Sequence, residues 1–124
     1  MNKTILIVGT FDTKNDELRF IQGVILDQGG NTLTMDVSVL KDPKKPTDIS
    51  KHDVANAGES GIESIIALDD ENEAMQVMAL GASRLTAKAY GDGLIDGVII
   101  LGGTMGTDLA LDVCLSLPIG VPKY

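Results

Sequence analysis

The chain has 124 residues, a net charge of −8 and one cysteine, Cys114. This length fits one domain with a real core, and 44% hydrophobic residues exclude a disordered chain. The acidic balance disfavours nucleic acids and anionic membrane surfaces as partners, because both attract basic faces. A lone cysteine leaves no disulfide within the chain, and no apolar run reaches signal-peptide or transmembrane length. We therefore expect a cytoplasmic protein.

The first third of the chain predicts a βαβ unit. Residues 4–9 are a continuous aliphatic run, typical of a strand that is covered on both faces. A polar turn leads to a helix over about 16–28, which two glycines end. A second strand over about 32–37 carries Asp36 at its end. The predicted buried stripe of the helix consists of Leu18, Ile21, Val24 and Ile25.

The rest of the chain continues the alternation of helices and strands. The predicted elements are a surface loop over 38–52, a short helix near 52–57, a short strand near 64–68, a long helix over about 70–90, a strand over 97–101 and a helix over about 107–116. In the long helix, Gly81 and Ala82 predict close packing against the sheet. The tail from Pro118 predicts the start of another βα step. This order predicts a Rossmann-like, three-layer α/β domain with a mainly parallel sheet.

Two loops follow the strongest strands and precede helices. Ligands of such sheets bind beyond the carboxyl ends of the strands, where small residues, hydroxyl groups and helix N–H groups suit phosphate oxygens. Neither loop matches the Walker A pattern, and no Gly-x-Gly-x-x-Gly directly follows the first strand. The candidate ligand-binding residues are Gly9, Thr10, Asp12, Thr13, Lys14, Asp36, Gly102, Gly103, Thr104, Gly106 and Thr107.

Each candidate also has a purely structural interpretation. From the residues alone, the first loop slightly favours a capped helix start, with Asp12 or Thr13 as the cap and Lys14 in solvent. The second loop is equally typical of a tight turn between a strand and a helix. Asp36 fits either a ligand of ribose hydroxyls or of a metal ion, or a strand-end aspartate that forms a turn. The residues alone leave these alternatives open.

Other polar residues favour structural roles. Asp108 and Asp112 lie four apart on a predicted helix and fit acid–base or Mg²⁺ chemistry, but also an ordinary solvent-facing side. His52 is the only histidine, so a zinc site within the chain is not expected. Cys114 lies on the apolar stripe of its helix, which favours a core cysteine.

The two loops resemble the signatures of a known family. Residues 9–14 (GTFDTK), followed by Glu17 and Leu18, resemble the opening signature of the tomato mosaic virus resistance protein family, which is widespread in bacteria and archaea. Residues 102–107 (GGTMGT) and 117–123 (LPIGVPK) resemble its other signature. The similarity spans nearly the whole chain in the right order.

The resemblance implies the Rossmann-like N-terminal domain of a longer protein with two α/β domains. It also implies binding of ATP, with or without Mg²⁺, since the plant member is described as an ATP-binding protein that blocks viral RNA replication by binding the replication protein. Thr104 and Met105 stand where the family usually has Ser and an extra Gly. Because Met105 is bulky, we expect it either to narrow the room for a phosphate or to change the ligand. The family pattern continues past Lys123, so we expect a C-terminal domain or a partner chain to complete the site.

Three functions follow as hypotheses. The chain is a nucleotide-binding domain, half of an enzyme that acts on a phosphorylated or carboxylated metabolite with Asp12 or Asp36 as acid–base group, or an interaction module. No reaction can be assigned, and catalytic residues stay unknown. Strand edges exposed to solvent favour pairing with another copy, so we also expect a homo-oligomer.

Overall fold

The computed structural model describes residues 3–38, 46–58, 71–101, 113–114 and 117. In chain order the elements are β1 (Thr4–Gly9), α1 (Asn15–Asp27), β2 (Asn31–Asp36), α2 (Lys51–Ala57), α3 (Glu71–Gly91) and β3 (Gly97–Leu101). All six were predicted to within one residue at each end. The strand near 64–68, most of the helix over 107–116 and the tail after Pro118 lie outside the described residues. No helix within the described ranges is both long and apolar enough to cross a membrane.

The three strands form one parallel sheet with β1 in the centre. The strand order is β2-β1-β3. Gly9, the last residue of β1, pairs with Asp36 on one side and with Leu101 on the other. The carboxyl ends of all three strands therefore lie at the same level of one sheet edge.

Both faces of the sheet are covered, which gives three layers. Side chains of successive strand residues point to opposite faces, so β1 contributes to two separate clusters. Ile7 packs with Leu18 of α1 on one face. Leu6 and Val8 pack on the other face, in a cluster that includes Val54 of α2 and Met78 of α3. This arrangement confirms the Rossmann-like α/β fold and explains why β1 is aliphatic without alternation.

The buried stripe of α1 is narrower than predicted. Leu18 is fully buried, and Ile21 and Ile25 pack partly buried against the same cluster. Val24 is 45% exposed, so the prediction was wrong for this residue. At 3.6 residues per turn, a residue six positions after Leu18 is rotated by about 120° from it, which turns Val24 away from the sheet.

Two glycines end α1 as predicted. Gly29 adopts a positive φ of 86°, a conformation that side chains disfavour. Its N–H donates to the Leu26 carbonyl, and the N–H of Gly30 donates to the Ile25 carbonyl, each at 3.0 Å. These bonds satisfy carbonyl groups that the helix end leaves without a partner in the next turn.

A short segment covers part of the outer edge of β2. Ile49 forms a parallel bridge with Met35, and the Asp36 N–H donates to the Ile49 carbonyl at 3.0 Å. Asp48 Oδ2 accepts hydrogen bonds from the backbone N–H and the hydroxyl of Thr34, at 2.9 and 3.1 Å. This cover occupies strand groups that would otherwise pair with another chain.

Helices α2 and α3 approach each other closely at glycine residues. A Cβ atom built on Gly81 of α3 would overlap the carbonyl oxygen of Val54 in α2. A Cβ on Gly58, which follows α2, would likewise meet the backbone of Val77. The predicted close packing of Gly81 against the sheet was therefore wrong: its close neighbour is α2. Ala82, the next residue, is fully buried in the larger core cluster.

Two helical glycines give a matched test of this contact. A Cβ on Gly23, inside α1, would meet nothing within 4 Å, so Gly23→Ala should raise the free energy of unfolding by about 1 kcal/mol through helix propensity. Gly81→Ala should lower it by about 1–3 kcal/mol, because the methyl group forces the helices apart. Urea denaturation of both variants measures the two changes. Equal stabilisation by both would contradict the close contact.

Candidate functional site

The strand order reverses at β1. The chain leaves β1 through α1 to reach β2, and then crosses back to β3 on the other side of β1. Such a reversal creates a topological switch point, and ligands of open α/β sheets bind in the crevice beyond the strand ends there. Gly9 and Leu101 are the paired end residues at this point.

Gly9 holds three elements together at the switch point. A Cβ atom at this position would lie 2.6 Å from Leu18 Cδ1 of α1 and 2.7 Å from the Leu101 carbonyl oxygen of β3. No side chain fits in that space. Packing alone therefore requires glycine at the end of β1, and it fixes where the following loop, residues 10–14, begins.

The loop over 10–14 is a tight turn into α1. The Thr10 carbonyl accepts the N–H groups of Thr13 and Lys14, at 3.2 and 2.8 Å. The hydroxyl groups of Thr10 and Thr13 lie 3.2 Å apart. Lys14 occupies the N-cap position, and no side chain makes a cap hydrogen bond within the described part of the chain. The predicted cap by Asp12 or Thr13 was wrong, because the turn brings Lys14 to that position and Thr13 faces Thr10 instead.

The loop presents polar groups near solvent. Thr13 is exposed, and Thr10, Asp12 and Lys14 are half-buried. The start of α1 carries the positive end of the helix dipole, which attracts anions. The first turn of α1 is also acidic, with Asp16 and Glu17 both exposed. An anion held here consequently needs Lys14 or a bound cation to balance those carboxylates.

A buried aromatic ring anchors the loop from below. Phe11 is fully buried in the cluster under α1. The Arg19 guanidinium lies 5.0 Å from the centre of its ring and donates through Nη2 to the Pro46 carbonyl at 3.1 Å. The ring and the guanidinium thus connect the loop, α1 and the segment beside β2. The sequence predicted no role for either residue, although a large aromatic among small polar residues was an available signal.

Asp36 joins the loop to the end of β2. Its side chain is buried, and Oδ1 accepts hydrogen bonds from the Phe11 N–H at 3.2 Å, the Ser38 N–H at 2.9 Å and the Ser38 hydroxyl at 2.6 Å. Oδ2 is shielded from solvent and has no hydrogen-bond partner among the described residues. The bonds to Ser38 are those of a strand-end aspartate that forms a turn. The bond to Phe11 spans 25 positions and had no signal in the sequence.

The surroundings of Asp36 favour its neutral form. Burial raises the pKa of its carboxyl above the ordinary value of 3.8, the hydrogen bonds from Ser38 and Phe11 lower it in part, and the charge of Asp12 raises it further. The net direction is upward, so the carboxyl group keeps its proton to higher pH than an exposed aspartate does.

Several candidates lie elsewhere. Residues 102–107, with the second loop's five candidates, and the pair Asp108 and Asp112 lie outside the described residues. His52 is exposed on α2, and Cys114 is partly buried. Across the described ranges, no group of three or more His, Cys, Asp or Glu side chains is placed to hold a metal ion.

Residues 3–124 match the model of a family described as the Uncharacterised protein family (UPF0261) N-terminal domain. The chain belongs to the UPF0261 family. A UPF0261 protein of Brucella suis is 48% identical over 120 residues, which cover 97% of this chain and 29% of that protein. A UPF0261 protein of Clostridium tetani is 39% identical over 123 residues, 99% of this chain and 30% of that protein. The chain thus spans less than a third of the length of these relatives.

A plant relative confirms the resemblance seen in the sequence. The ToMV susceptible protein tm-1(GCR26) of Solanum lycopersicum is 31% identical over 134 residues, which cover 96% of this chain and 18% of the plant protein. The two signature loops therefore identified the family correctly. The positions of the individual ligand-binding residues stay predictions.

The raised pKa of Asp36 makes the stability of this domain depend on pH. Between 3.8, where the unfolded carboxyl titrates, and its higher folded pKa, the folded state holds a proton that the unfolded chain has lost. The stability that this proton contributes is fully present below pH 3.8 and is lost as the pH rises through the folded pKa. Wild type should therefore lose stability relative to Asp36→Asn across this window.

Urea denaturation of wild type and Asp36→Asn at a series of pH values measures this change. The matched control is Asp48→Asn, because Asp48 also hydrogen-bonds to β2. This variant should keep the dependence of the free energy of unfolding on pH that Asp36 causes. Wild-type and Asp36→Asn stabilities that differ by a constant at every pH would contradict the prediction.

Proposed function

We propose that this UPF0261 domain binds ATP, or another phosphorylated small molecule, at the carboxyl edge of its sheet between β1 and β3. One observation carries the proposal: the strand order reverses at Gly9, where a tight turn leads directly into the start of α1. Phosphate oxygens would accept hydrogen bonds from backbone N–H groups at that helix start. The family resemblance, which implies ATP binding, supports a phosphorylated ligand.

The charges around the loop indicate how such a ligand would be held. Lys14 would supply a positive charge, and Thr10 and Thr13 would supply hydroxyl groups. The exposed carboxylates of Asp16 and Glu17 oppose a bare triphosphate. ATP that carries Mg²⁺ is therefore the form we expect to bind more tightly.

The second signature loop would contribute the remaining phosphate contacts. Gly102 follows Leu101 in the chain, and Leu101 pairs with Gly9. The two loops consequently begin from neighbouring strand ends at the switch point. The residues proposed to surround the phosphates from this loop are Gly102, Gly103, Thr104, Gly106 and Thr107.

For the whole protein we propose what completes the site and where the protein is located. Since the bacterial relatives are more than three times as long as the chain, we propose that a C-terminal domain or a partner chain completes the site, in the cytoplasm. If the domain is instead half of an enzyme, the longer protein should bind a small acid or a sugar phosphate more tightly than ATP.

Calorimetric titration with ATP, with and without Mg²⁺, tests the proposed site. Lys14→Gln should weaken binding roughly tenfold or more, because a hydrogen bond to a charged group contributes about 1.5–3 kcal/mol. Lys88→Gln removes an exposed lysine from the last turn of α3 and is the matched control. Thr107→Val tests the second loop in the same titration. Equal affinities for Lys14→Gln and Lys88→Gln would exclude the first loop as the phosphate site.

The outer side of α1 supports a second function, association with another copy of the chain. Phe20 is 73% exposed and Val24 is 45% exposed. Residues four apart are neighbours on a helix surface, and Gly23 between them leaves the surface flat. Large exposed apolar side chains that lie side by side mark interaction surfaces. We propose that this side of α1 mediates the expected homo-oligomer.

Light scattering coupled to gel filtration tests this association. Wild type should have a mass above that of one chain, and Phe20→Ser should shift it to the monomer mass, since the apolar contact is lost. Leu94→Ser removes another exposed apolar side chain, 55% exposed and located before β3, and should leave the mass unchanged. A monomeric wild type at high protein concentration would contradict the proposal.

A further inference from the structure

The strongest unexplained feature of the site is the group of three hydrogen bonds on Asp36 Oδ1, which we call the Asp36 tie. Its donors are the Phe11 N–H, the Ser38 N–H and the Ser38 hydroxyl. Two of the donors lie beyond the end of β2, and the third lies in the loop after β1. The tie therefore links the two strand ends through a side chain, just beyond the backbone pairing of Gly9 with Asp36.

The tie leaves the Asp36 carboxyl group little capacity to accept hydrogen bonds from a ligand. A carbonyl-type oxygen has two lone pairs, and Oδ1 already accepts three hydrogen bonds. Oδ2 is shielded from solvent, and the whole residue is only 1% exposed. A ribose would need two accessible acceptor positions for its pair of hydroxyl groups, and this carboxyl group presents none at the surface.

The surroundings of Oδ2 disfavour the ionised form of the Asp36 carboxyl group, since no described residue donates to this buried oxygen. An ionised carboxylate with one buried oxygen that lacks a donor is costly, because it has lost water without gaining a replacement. A proton on this carboxyl group would remove the charge, and Oδ1 could still accept its three hydrogen bonds. Asp12, on the loop, is the charged side chain of the described residues that acts on Asp36, and its repulsion works in the same direction. Ser38 beyond β2 and Phe11 on the loop supply neutral donors only.

We propose that Asp36 is a positioning residue, which fixes the loop over 10–14 by holding the Phe11 N–H, and that it does not contact the sugar of a bound nucleotide. The part that concerns the nucleotide rests on the proposed function, whereas the part that concerns the loop does not. The start of the loop is then fixed twice: Gly9 sets where it begins through packing, and the Asp36 tie sets its second residue, Phe11, through a hydrogen bond.

The loop part is tested without any ligand, by amide hydrogen exchange resolved at Phe11 by NMR. Asp36→Ala should accelerate exchange at Phe11 at least tenfold, and Asp36→Asn, whose amide oxygen can still accept, should retain protection. Asp48→Ala is the matched control, because it removes the acceptor of the Thr34 N–H instead and should leave Phe11 unchanged. Equal protection of Phe11 in wild type and Asp36→Ala would overturn the proposal.

A second measurement does not need Asp36→Ala, should that variant fail to fold. The chemical shift of the Phe11 amide proton should titrate together with the Asp36 carboxyl group, and this titration should vanish in Asp36→Asn. A Phe11 shift that does not follow the Asp36 carboxyl would also overturn the proposal.

The nucleotide part is tested with ATP and 2′-deoxyATP. Asp36→Ala should lower the affinity for both nucleotides by the same factor. Asp36→Asn should keep most of the wild-type affinity for both. A loss of affinity for ATP alone would show that Asp36 contacts the 2′-hydroxyl and would overturn this part. If wild type binds neither nucleotide, the proposal that this domain binds ATP by itself fails, while exchange at Phe11 still decides the role of Asp36 in the loop.

Discussion

The parallel register of β1 between β2 and β3 is the constraint on which the rest of the domain depends. It places Gly9 opposite both Asp36 and Leu101, so three strands end at one level. Because β1 is the central strand, its successive residues must be apolar towards both faces, and Leu6 and Ile7 accordingly belong to different core clusters. A slip by one residue would exchange these faces and would also separate Asp36 from the loop that it holds.

Two glycines allow close contacts between elements, and the neighbouring elements differ in the two places. At the end of β1, Gly9 lets Leu18 of α1 and the backbone of β3 meet over the strand end. On the opposite face of the sheet, Gly81 lets α3 lie against the backbone of α2. In both places a missing Cβ is what allows the contact, and neither glycine has a positive φ. Hence packing alone explains Gly9, without any ligand, and only the strand reversal and the helix start point to a ligand at this position.

The sequence predicted what depends on local patterns and failed where distant residues decide. Aliphatic runs, breakers and paired glycines located all six described elements, because periodicity and turn residues act within a few positions. Val24 was misplaced because an apolar residue at the border of a helical stripe can face either way. Thr13 was wrongly assigned as a cap because its hydroxyl group faces Thr10. The bond between Asp36 and Phe11 could not be predicted, since nothing local shows which donor a buried carboxyl group will meet after folding.

Asp36 shows how an acidic domain could bind an anionic ligand without strong repulsion. A phosphate near the loop would face Asp12 and the two carboxylates at the start of α1, so every additional negative charge there would weaken binding. The raised pKa of Asp36 favours a neutral carboxyl group, which can accept the hydrogen bond that shapes the loop without adding charge. Under the proposed function, a bound phosphate would in turn favour the proton on Asp36, because linkage between two sites is reciprocal. A carboxyl group that shapes an anion site from inside therefore suits an acidic domain better than an ionised aspartate exposed beside the phosphates.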